Sequence, residues 1–413
     1  MADSPFYDDL EIRPPEQREA ALMRALRSHL VHAKAHAPAF AAILADVDPE
    51  EIVDRRTLAL LPVTRKSELI ERQRAAPPFG GFAAVPTGAL ARIFSSPGPI
   101  YDPEGRGRDY WRMARALYAA GFRAGDVVHN CFSYHLTPAG SMLESGAHAL
   151  GCAVIPGGTG QSEQQVRTIA DLKPAGYVGT PSFLAIILDK AGELGIDISG
   201  LGKALVSGEA FPTGLRQRFA AAGIAAPQCY GTADLGLVAY ESPAREGLIL
   251  DEGIIVEIVQ PGTGDPVGPD KVGEIVVTTL TRDYPLIRFG TGDLSAYLPG
   301  TSPCGRTNHR IKGWMGRADQ AAKVKGMFVQ PAQIAELIRR HREIIRARLV
   351  IAHDAHGVDT MILKVEMGEP AEDVARIAAT LQALTKLRGT VSRVPTGSLP
   401  NDGKVIDDTR KPE

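Results

Sequence analysis

Residues 126–158 read "DVVHNCFSYHLTPAGSMLESGAHALGCAVIPGG". Two short apolar runs, 126–132 and 152–158, flank a stretch at 141–151 whose apolar residues recur at helical spacing and which stops at a glycine. Strand, helix, strand over about thirty residues is a crossover unit. Both strands are apolar at successive positions rather than alternate ones. Such strands are buried on both faces, which calls for a mostly parallel sheet covered by helices.

The rhythm extends outward in both directions. Upstream, "DYWRMARALYAAG" (109–121) reads as a helix ending at a glycine. Downstream, a helix at 162–173 opens with a capping box, Ser162-x-x-Gln165, and a strand follows at 176–181. Then come a helix at 182–195, a strand at 203–209, a helix from about 214 and a strand at 226–231. Parallel sheets bind ligands in loops beyond the carboxyl ends of their strands. The candidate loops are therefore "SYHLTPAG", "PGGTGQ", "SGEAF" and "YGTADLG".

From 232 to 300 the texture changes to strands with Gly/Pro/Asp turns and no helix between them, an antiparallel β-rich lobe. After "IKGWMGRADQ" (311–320) the chain returns to mixed helices and strands. The expected fold class is α/β. A large N-terminal domain, 1–315, holds mostly parallel sheets covered by helices plus the β-rich lobe, and a small C-terminal α+β domain occupies 316–413. Residues 14–37 read as a helix with Leu22, Leu26, Leu30 and Val31 on one side. His32 and His36 share a face of it with no acidic partner between them, the ordinary pattern of a partly exposed helix face rather than a metal site. Arg339, Arg340, Arg342, Arg346 and Arg348 read as the solvated face of a short helix.

Composition narrows the function. A chain of 413 residues is too long for one core. Its 44% hydrophobic and 23% charged content is that of an ordinary globular protein. A net charge of -2 gives no electrostatic case for nucleic acid or an acidic membrane as partner. No apolar run of about 20 residues exists to span a bilayer. The start, "MADSPFYDDLE", lacks the basic-then-apolar order of a signal peptide, so a cytoplasmic protein is expected. Cys131, Cys152, Cys229 and Cys304 are scattered, with no C-x-x-C pair, and read as buried free thiols.

Three stretches carry the chemistry. In "CYGTADLG" (229–236) an aromatic and a glycine close a strand and an acid follows three residues after the glycine. "YPLIRFGTGDLSAYL" (284–298) places an arginine and an aspartate on a hairpin-like segment. "WMGRADQAAKVKGMFVQPAQIAEL" (314–337) runs Gly-Arg-x-Asp, Lys-Gly, then Pro before a helix. Together these resemble the motifs of the adenylate-forming enzymes: Tyr-Gly-x-Thr-Glu, Arg-x-x-Thr-Gly-Asp, and the Gly-Arg-x-Asp hinge with its Gly loop. "GDVVHNCFSYHLTPAG" (125–140), "PGGTGQSEQQ" (156–165), "LVSGEAFPT" (205–213) and the tail "GSLPNDGKVIDDTRK" (397–411) resemble the phenylacetate–CoA ligase branch.

The resemblance implies an enzyme that joins a carboxylic acid to AMP, releases pyrophosphate, and passes the acyl group to coenzyme A, with ATP and Mg2+ as further cofactors. It implies a small-molecule acid as partner and admits a homodimer. Tyr230 would pack on adenine, with Gly231 and Thr232 in the same motif, and Gly208 and Glu209 in the adenine-contacting turn. Asp293 would accept both ribose hydroxyls, which suits a carboxylate. Asp234, one methylene shorter than the family glutamate, would be the Mg2+ ligand. Arg288 would support that loop or approach the phosphate. Arg317 and Asp319 match the hinge, Lys325 the Gly loop, and Lys404 the lysine that reaches the carboxylate and α-phosphate. Tyr134 and His135, with Gly157 and Gly158, would wall the acyl pocket, and Phe132, Phe211 and Pro212 nearby suit an aryl acid. The reading requires Tyr230 and Asp293 to share one cleft at the lobe boundary.

One motif departs from the family. Its phosphate loop resembles Ser-Ser-Gly-Thr-Thr-Gly-Lys-Pro, which cradles phosphates with N–H groups, hydroxyls and a lysine. Here Ser95 and Ser96 are followed by "PGPIYDP" (97–103). The threonines are gone, Tyr101 or Asp102 stands at the lysine position, and prolines remove N–H donors. Losing about three contacts of roughly 1.5–3 kcal/mol each would cost several decades of affinity at about 1.4 kcal/mol per tenfold. Three readings follow: an ATP-dependent ligase with an unusual phosphate grip, an enzyme working from acyl-AMP toward another acceptor, or a non-catalytic sensor of AMP, acyl-AMP or acyl-CoA.

Overall fold

A computed structural model of the chain describes residues 4–96, 100–318, 322–325, 327–354, 358–368, 374–400, 402 and 404–410. Helix α1 (Pro15–His36) opens on a proline, whose missing N–H is no loss in a first turn. Leu22, Leu26, His29, Leu30 and Ala33 form its buried stripe. Val31 does not join them, contrary to expectation. It is 53% exposed, because at 100° per residue it points away from a stripe running through 22, 26, 29, 30 and 33. Helices α2 (Pro38–Ile43) and α3 (Arg55–Leu58), strand β1 (Thr64–Arg65) and helix α4 (Lys66–Ala75) complete the N-terminal part.

Strands β2 (Arg92–Ser96) and β3 (Ile100–Glu104) pair antiparallel, with Ser96 opposite Ile100. The crossover region follows as α5 (Met113–Ala119), β4 (Val127–Asn130), α6 (Ala139–Leu150), β5 (Ala153–Pro156), α7 (Ser162–Leu172), β6 (Gly176–Gly179), α8 (Pro181–Leu194), β7 (Lys203–Val206) and α9 (Thr213–Ala221). Its four strands form an all-parallel sheet in the order β5-β4-β6-β7, as their apolar runs require. Two local expectations fail. Helix α5 starts at Met113 rather than 109, because Arg112 is left-handed at φ 63° and its guanidinium turns to Asp251 at 3.0 Å and to the Leu237 carbonyl at 3.2 Å. No capping box forms at Ser162 either. Gln161 is the N-cap, and buried Gln165 spends its amide N–H groups on the carbonyls of Gly158 and Gly160.

The β-rich lobe comprises β8 (Cys229–Thr232), β9 (Gly236–Glu241), β10 (Leu248–Leu250), β11 (Ile254–Val259), β12 (Gly273–Thr279), β13 (Phe289–Ser295), β14 (Tyr297–Leu298) and β15 (Arg310–Ile311). It folds as two sheets. One is antiparallel in the order β14-β15-β10-β9-β8; the other runs β1-β13-β12-β11, with β1 parallel to β13. The N-terminal turn is tied to this lobe by buried Glu11, which accepts from the Tyr240 hydroxyl at 2.8 Å and pairs with Arg306 at 3.0 Å.

The C-terminal part holds β16 (Ala322–Val324), β17 (Met327–Val329), α10 (Pro331–Arg340), β18 (Ile344–His353), β19 (Asp359–Met367), α11 (Val374–Thr385), β20 (Thr390–Val394) and β21 (Ile406–Asp408). Its sheet, β20-β19-β18-β21, packs α10 and α11 over a separate hydrophobic cluster that includes Ile334, Leu349, Leu363 and Leu381. The arginine run is not one helical face. Arg339 and Arg340 end α10, whereas Arg346 and Arg348 sit on β18 and bond the Pro400 carbonyl. Among the described residues no helix is long and apolar enough to cross a membrane.

His29 gives this fold a pH signature. Burial, then the nearby charges of His32 and Arg282, lower its pKa to about 4. The unfolded chain takes up the proton near pH 6.5 and the folded chain does not until about pH 4, so stability falls as pH drops through that window. The full effect is about 3 kcal/mol. His29→Leu should flatten the fall in urea midpoint between pH 7 and pH 4.5; an unchanged slope would assign the acid sensitivity elsewhere.

Candidate functional site

Tyr230 and Asp293 come from different sheets and meet. The Tyr230 hydroxyl, on β8, donates to Asp293 Oδ2, on β13, at 2.8 Å, and both residues are buried. Asp293 Oδ1 accepts from the indole N–H of Trp314 at 3.0 Å and from the Arg317 guanidinium at 3.2 Å. Backbone bonds lay this segment along β13: Leu294 N–H to the Gly316 carbonyl, Met315 N–H to that of Leu294, and Ala318 N–H to that of Gly292. Burial and the Asp293 charge push the Tyr230 phenol far above its ordinary range, so it stays a donor. Beside them a cavity of about 160 Å3 is lined by Lys66, Gly292 and Ala318 from one side and Gln330, Pro331 and Ala332 of the small unit from the other.

Gly231 and Thr232 end β8, and Asp234 belongs to the β8–β9 turn. Gly236 closes it at φ 70°, where a Cβ would stand 2.7 Å from the Trp111 carbonyl, so only glycine fits. Thr232 Oγ1 accepts the Leu235 N–H at 3.2 Å. Asp234 is buried and ion-paired with Lys66, the first residue of α4. Burial opposes the Lys66 charge, but Asp234 outweighs it and the pKa stands above the ordinary lysine value. A third acid lies alongside. Asp102, on β3, is 0% exposed and both its oxygens lack a hydrogen-bond partner, as do Asp234 Oδ1 and the buried Tyr284 hydroxyl. Burial, then the Asp234 charge, push the Asp102 carboxyl up to about 8.

Helix α4 also holds the β2–β3 hairpin. The Gln73 side chain bonds both the N–H and the carbonyl of Tyr101, at 2.8 and 2.9 Å. Pairing of Ser96 with Ile100 leaves only residues 97–99 to join the strands. Pro97, Gly98 and Pro99 themselves lie outside the described residues. Ser96 is buried, its hydroxyl facing the Ile100 carbonyl at 3.4 Å, and Ser95 donates its N–H to the Leu136 carbonyl at 2.8 Å. Lys66 and Gln73 were missed from sequence, where they are unremarkable helix residues. The visible signal was Asp102, an acid at the altered phosphate motif.

The loops beyond β4–β7 carry the remaining candidates. The Tyr134 hydroxyl accepts from Asn130 at 2.7 Å and donates to Glu144 at 2.8 Å, whereas His135 is exposed. Gly157 lies against Gln165 and His129, which bond each other at 2.6 Å, and the Gly158 N–H donates to the Asn130 carbonyl. Burial lowers the His129 pKa, so the ring is neutral. Gly208 lies 3.6 Å from Phe132 and Thr180, measured from its Cβ position, and Glu209 accepts the Ser182 N–H at 2.6 Å at the start of α8. Asn130, His129 and Glu144 were also missed, as polar groups within segments read for their apolar pattern, and Gln165 was read only as a capping residue.

Other candidates stand apart. Arg288 does not approach a phosphate. It is 1% exposed, and all five guanidinium N–H groups are used: a bidentate pair with Glu257 at 2.9 and 3.0 Å, and the carbonyls of Ala59, Leu61 and Gly264. Its role is to hold the start of β13. Lys404 is exposed, 3.8 Å from Asp407, and Lys325 is exposed with its backbone N–H on Asp359. Asp319 lies outside the described residues. Among the described residues beyond 316, only Arg317 bonds Asp293.

The AMP-binding enzyme family matches residues 108–281. The chain is 33% identical to the phenylacetate-coenzyme A ligase of Aromatoleum evansii, over 82% of this chain and 79% of that protein. It is 31% identical to the ligase of that name from Escherichia coli, over 89% of this chain and 87% of the other. Its structure resembles an open conformation of 2-hydroxyisobutyryl-CoA ligase in complex with 2-HIB-AMP and CoA, with a TM-score of 0.74 and 25% identity, covering 97% of this chain and 93% of that one.

Arg288→Met leaves Glu257 buried without its partner and should cost about 3–5 kcal/mol, seen as a lower urea midpoint. A variant of undiminished stability that binds AMP more weakly would return Arg288 to the nucleotide site.

Proposed function

We propose that this chain, which belongs to the phenylacetate–coenzyme A ligase family of AMP-binding enzymes, activates an aromatic or arylacetic acid as its acyl-adenylate and passes the acyl group to coenzyme A. The enzyme class is adenylate-forming acid–thiol ligase. The observation that carries the reading is the Asp293 carboxylate, bonded by Tyr230 and by Arg317, on the strand whose neighbouring Gly292 lines the cavity.

In this reading Asp293 holds the ribose diol, Tyr230 and Gly231 with Gly208 and Glu209 border the adenine, and Tyr134, His135, Gly157 and Gly158 border the acid. A carboxylate is a poor electrophile because its charge repels nucleophiles. Its oxygen attacks the α-phosphorus of ATP, the bond to the departing pyrophosphate breaks, and a mixed anhydride results. The thiolate of coenzyme A then attacks the acyl carbon, and the bond to AMP breaks. Two anions must be held in contact, so positioned cations do most of the work. Lys404 supplies one when the C-terminal unit turns about Asp319, with Lys325 moving on the same unit and Arg317 staying on the β13 side of the pivot. The unpartnered oxygens of Asp234, and of Asp102 once its proton is displaced by the cation, are hard donors that would fit Mg2+. When bound, that ion compensates phosphate charge.

A second reading is favoured by the hairpin. Three residues between Ser96 and Ile100 are few to cradle two phosphates, no lysine lies among them, and Lys66 is already paired with Asp234. The chain would then start from acyl-AMP, pass the acyl group to coenzyme A or another acceptor, or hold AMP, acyl-AMP or acyl-CoA as a sensor.

ATP–pyrophosphate exchange over a panel of aromatic and arylacetic acids separates the two. Exchange supports the full reaction; thioester formation only from supplied acyl-AMP supports the second; calorimetric AMP binding without either leaves the sensor. Asp293→Ala should weaken AMP binding at least about tenfold, the loss of roughly 1.4 kcal/mol. Lys404→Ala should lower acyl transfer to and from AMP strongly with AMP affinity kept, and an equal loss of both would remove that role.

A further inference from the structure

Asp293 has more suitors than it can serve. A carboxylate offers about four lone-pair sites. Tyr230, Trp314 and Arg317 already take three of them. A ribose diol brings two donors, one too many. Tyr230 is buried, and removing its hydroxyl from Asp293 would strand a polar group in the core. Arg317 donates a charge-assisted bond, the stronger kind. Trp314 is neutral and 53% exposed, so water can satisfy its N–H once it leaves.

We propose that the indole N–H of Trp314 is a built-in stand-in for a ribose hydroxyl: it caps Asp293 Oδ1 in the empty protein, competes with the nucleotide, and is displaced when the ribose binds. The proposal rests on Asp293 being the ribose acceptor. It makes Trp314 a positioning residue that sets nucleotide affinity through Asp293. It also links the ribose seat to the hinge, because Met315 and Gly316, next along the chain, are bonded to Leu294 on the strand that carries Asp293.

The chain provides its own probe. It has two tryptophans, and the other, Trp111, is 2% exposed in the core. Intrinsic emission of the full-length protein is titrated with AMP and with 2′,3′-dideoxyadenosine monophosphate, which lacks both hydroxyls, and affinities are read by calorimetry. The expected result is a shift in emission with AMP that dideoxy-AMP does not produce. Trp314→Phe, which keeps the ring and removes the N–H, should bind AMP about three- to tenfold more tightly and dideoxy-AMP no differently. Equal emission shifts with both nucleotides, or AMP affinity unchanged or weakened in Trp314→Phe, would overturn the proposal. If wild type binds AMP no better than dideoxy-AMP, the ribose assignment of Asp293 fails and the proposal with it. If wild type prefers AMP but Trp314→Phe matches it, the proposal alone fails. The wild-type emission arm decides the matter even if the variant does not fold.

Discussion

A carboxylate can only accept hydrogen bonds, and the functional centre of this protein is organised by that constraint at Asp293. Donors must be brought to it, and they come from separate parts of the chain: Tyr230 from the antiparallel sheet, Trp314 and Arg317 from the segment leading into the C-terminal unit. For a tyrosine hydroxyl to lie 2.8 Å from a carboxylate on another sheet, β8 and β13 must keep a fixed separation. Their burial and the Arg288–Glu257 pair that fastens the start of β13 supply the rigidity.

Two buried charge clusters show how differently the same residue types are used. Around Arg288 every donor has an acceptor, so the cluster is self-contained and makes structure. Around Asp234 the balance is left open. One lysine faces two aspartic acid side chains, and three of their oxygens and a tyrosine hydroxyl have no partner. A fold tolerates unmet polar groups in its interior at a cost of about 1–3 kcal/mol each. Concentrating them beside a cleft is the pattern of a site rather than of a core.

Much of the architecture was legible because burial on both faces leaves a direct trace: unbroken apolar runs gave the parallel sheet, and the loss of helices after 232 gave the β-rich lobe. Val31, Arg112 and Gln165 misled because each is placed by tertiary partners that its own segment does not display. In the site, Tyr230, Asp234 and Asp293 stood out as motif residues. Lys66 and Trp314 did not, since what distinguishes them is a contact across 168 residues for one and 21 for the other. Arg288 was visible as a conspicuous arginine, but its neighbours along the chain gave no sign of Glu257, 31 residues away, that absorbs its charge.

The short link between β2 and β3 also bears on direction. By microscopic reversibility, whatever seat receives the departing diphosphate is the one from which that ion returns to unmake the mixed anhydride. A seat that lacks the lysine and the threonine hydroxyls would weaken arrival and return alike. An activated acid held in such a protein would have essentially one exit, toward the acceptor, and its fate would be insulated from the diphosphate level around it. Such a seat would slow adenylate formation and its reversal together, and would leave thioester formation, which exchanges AMP for coenzyme A, untouched.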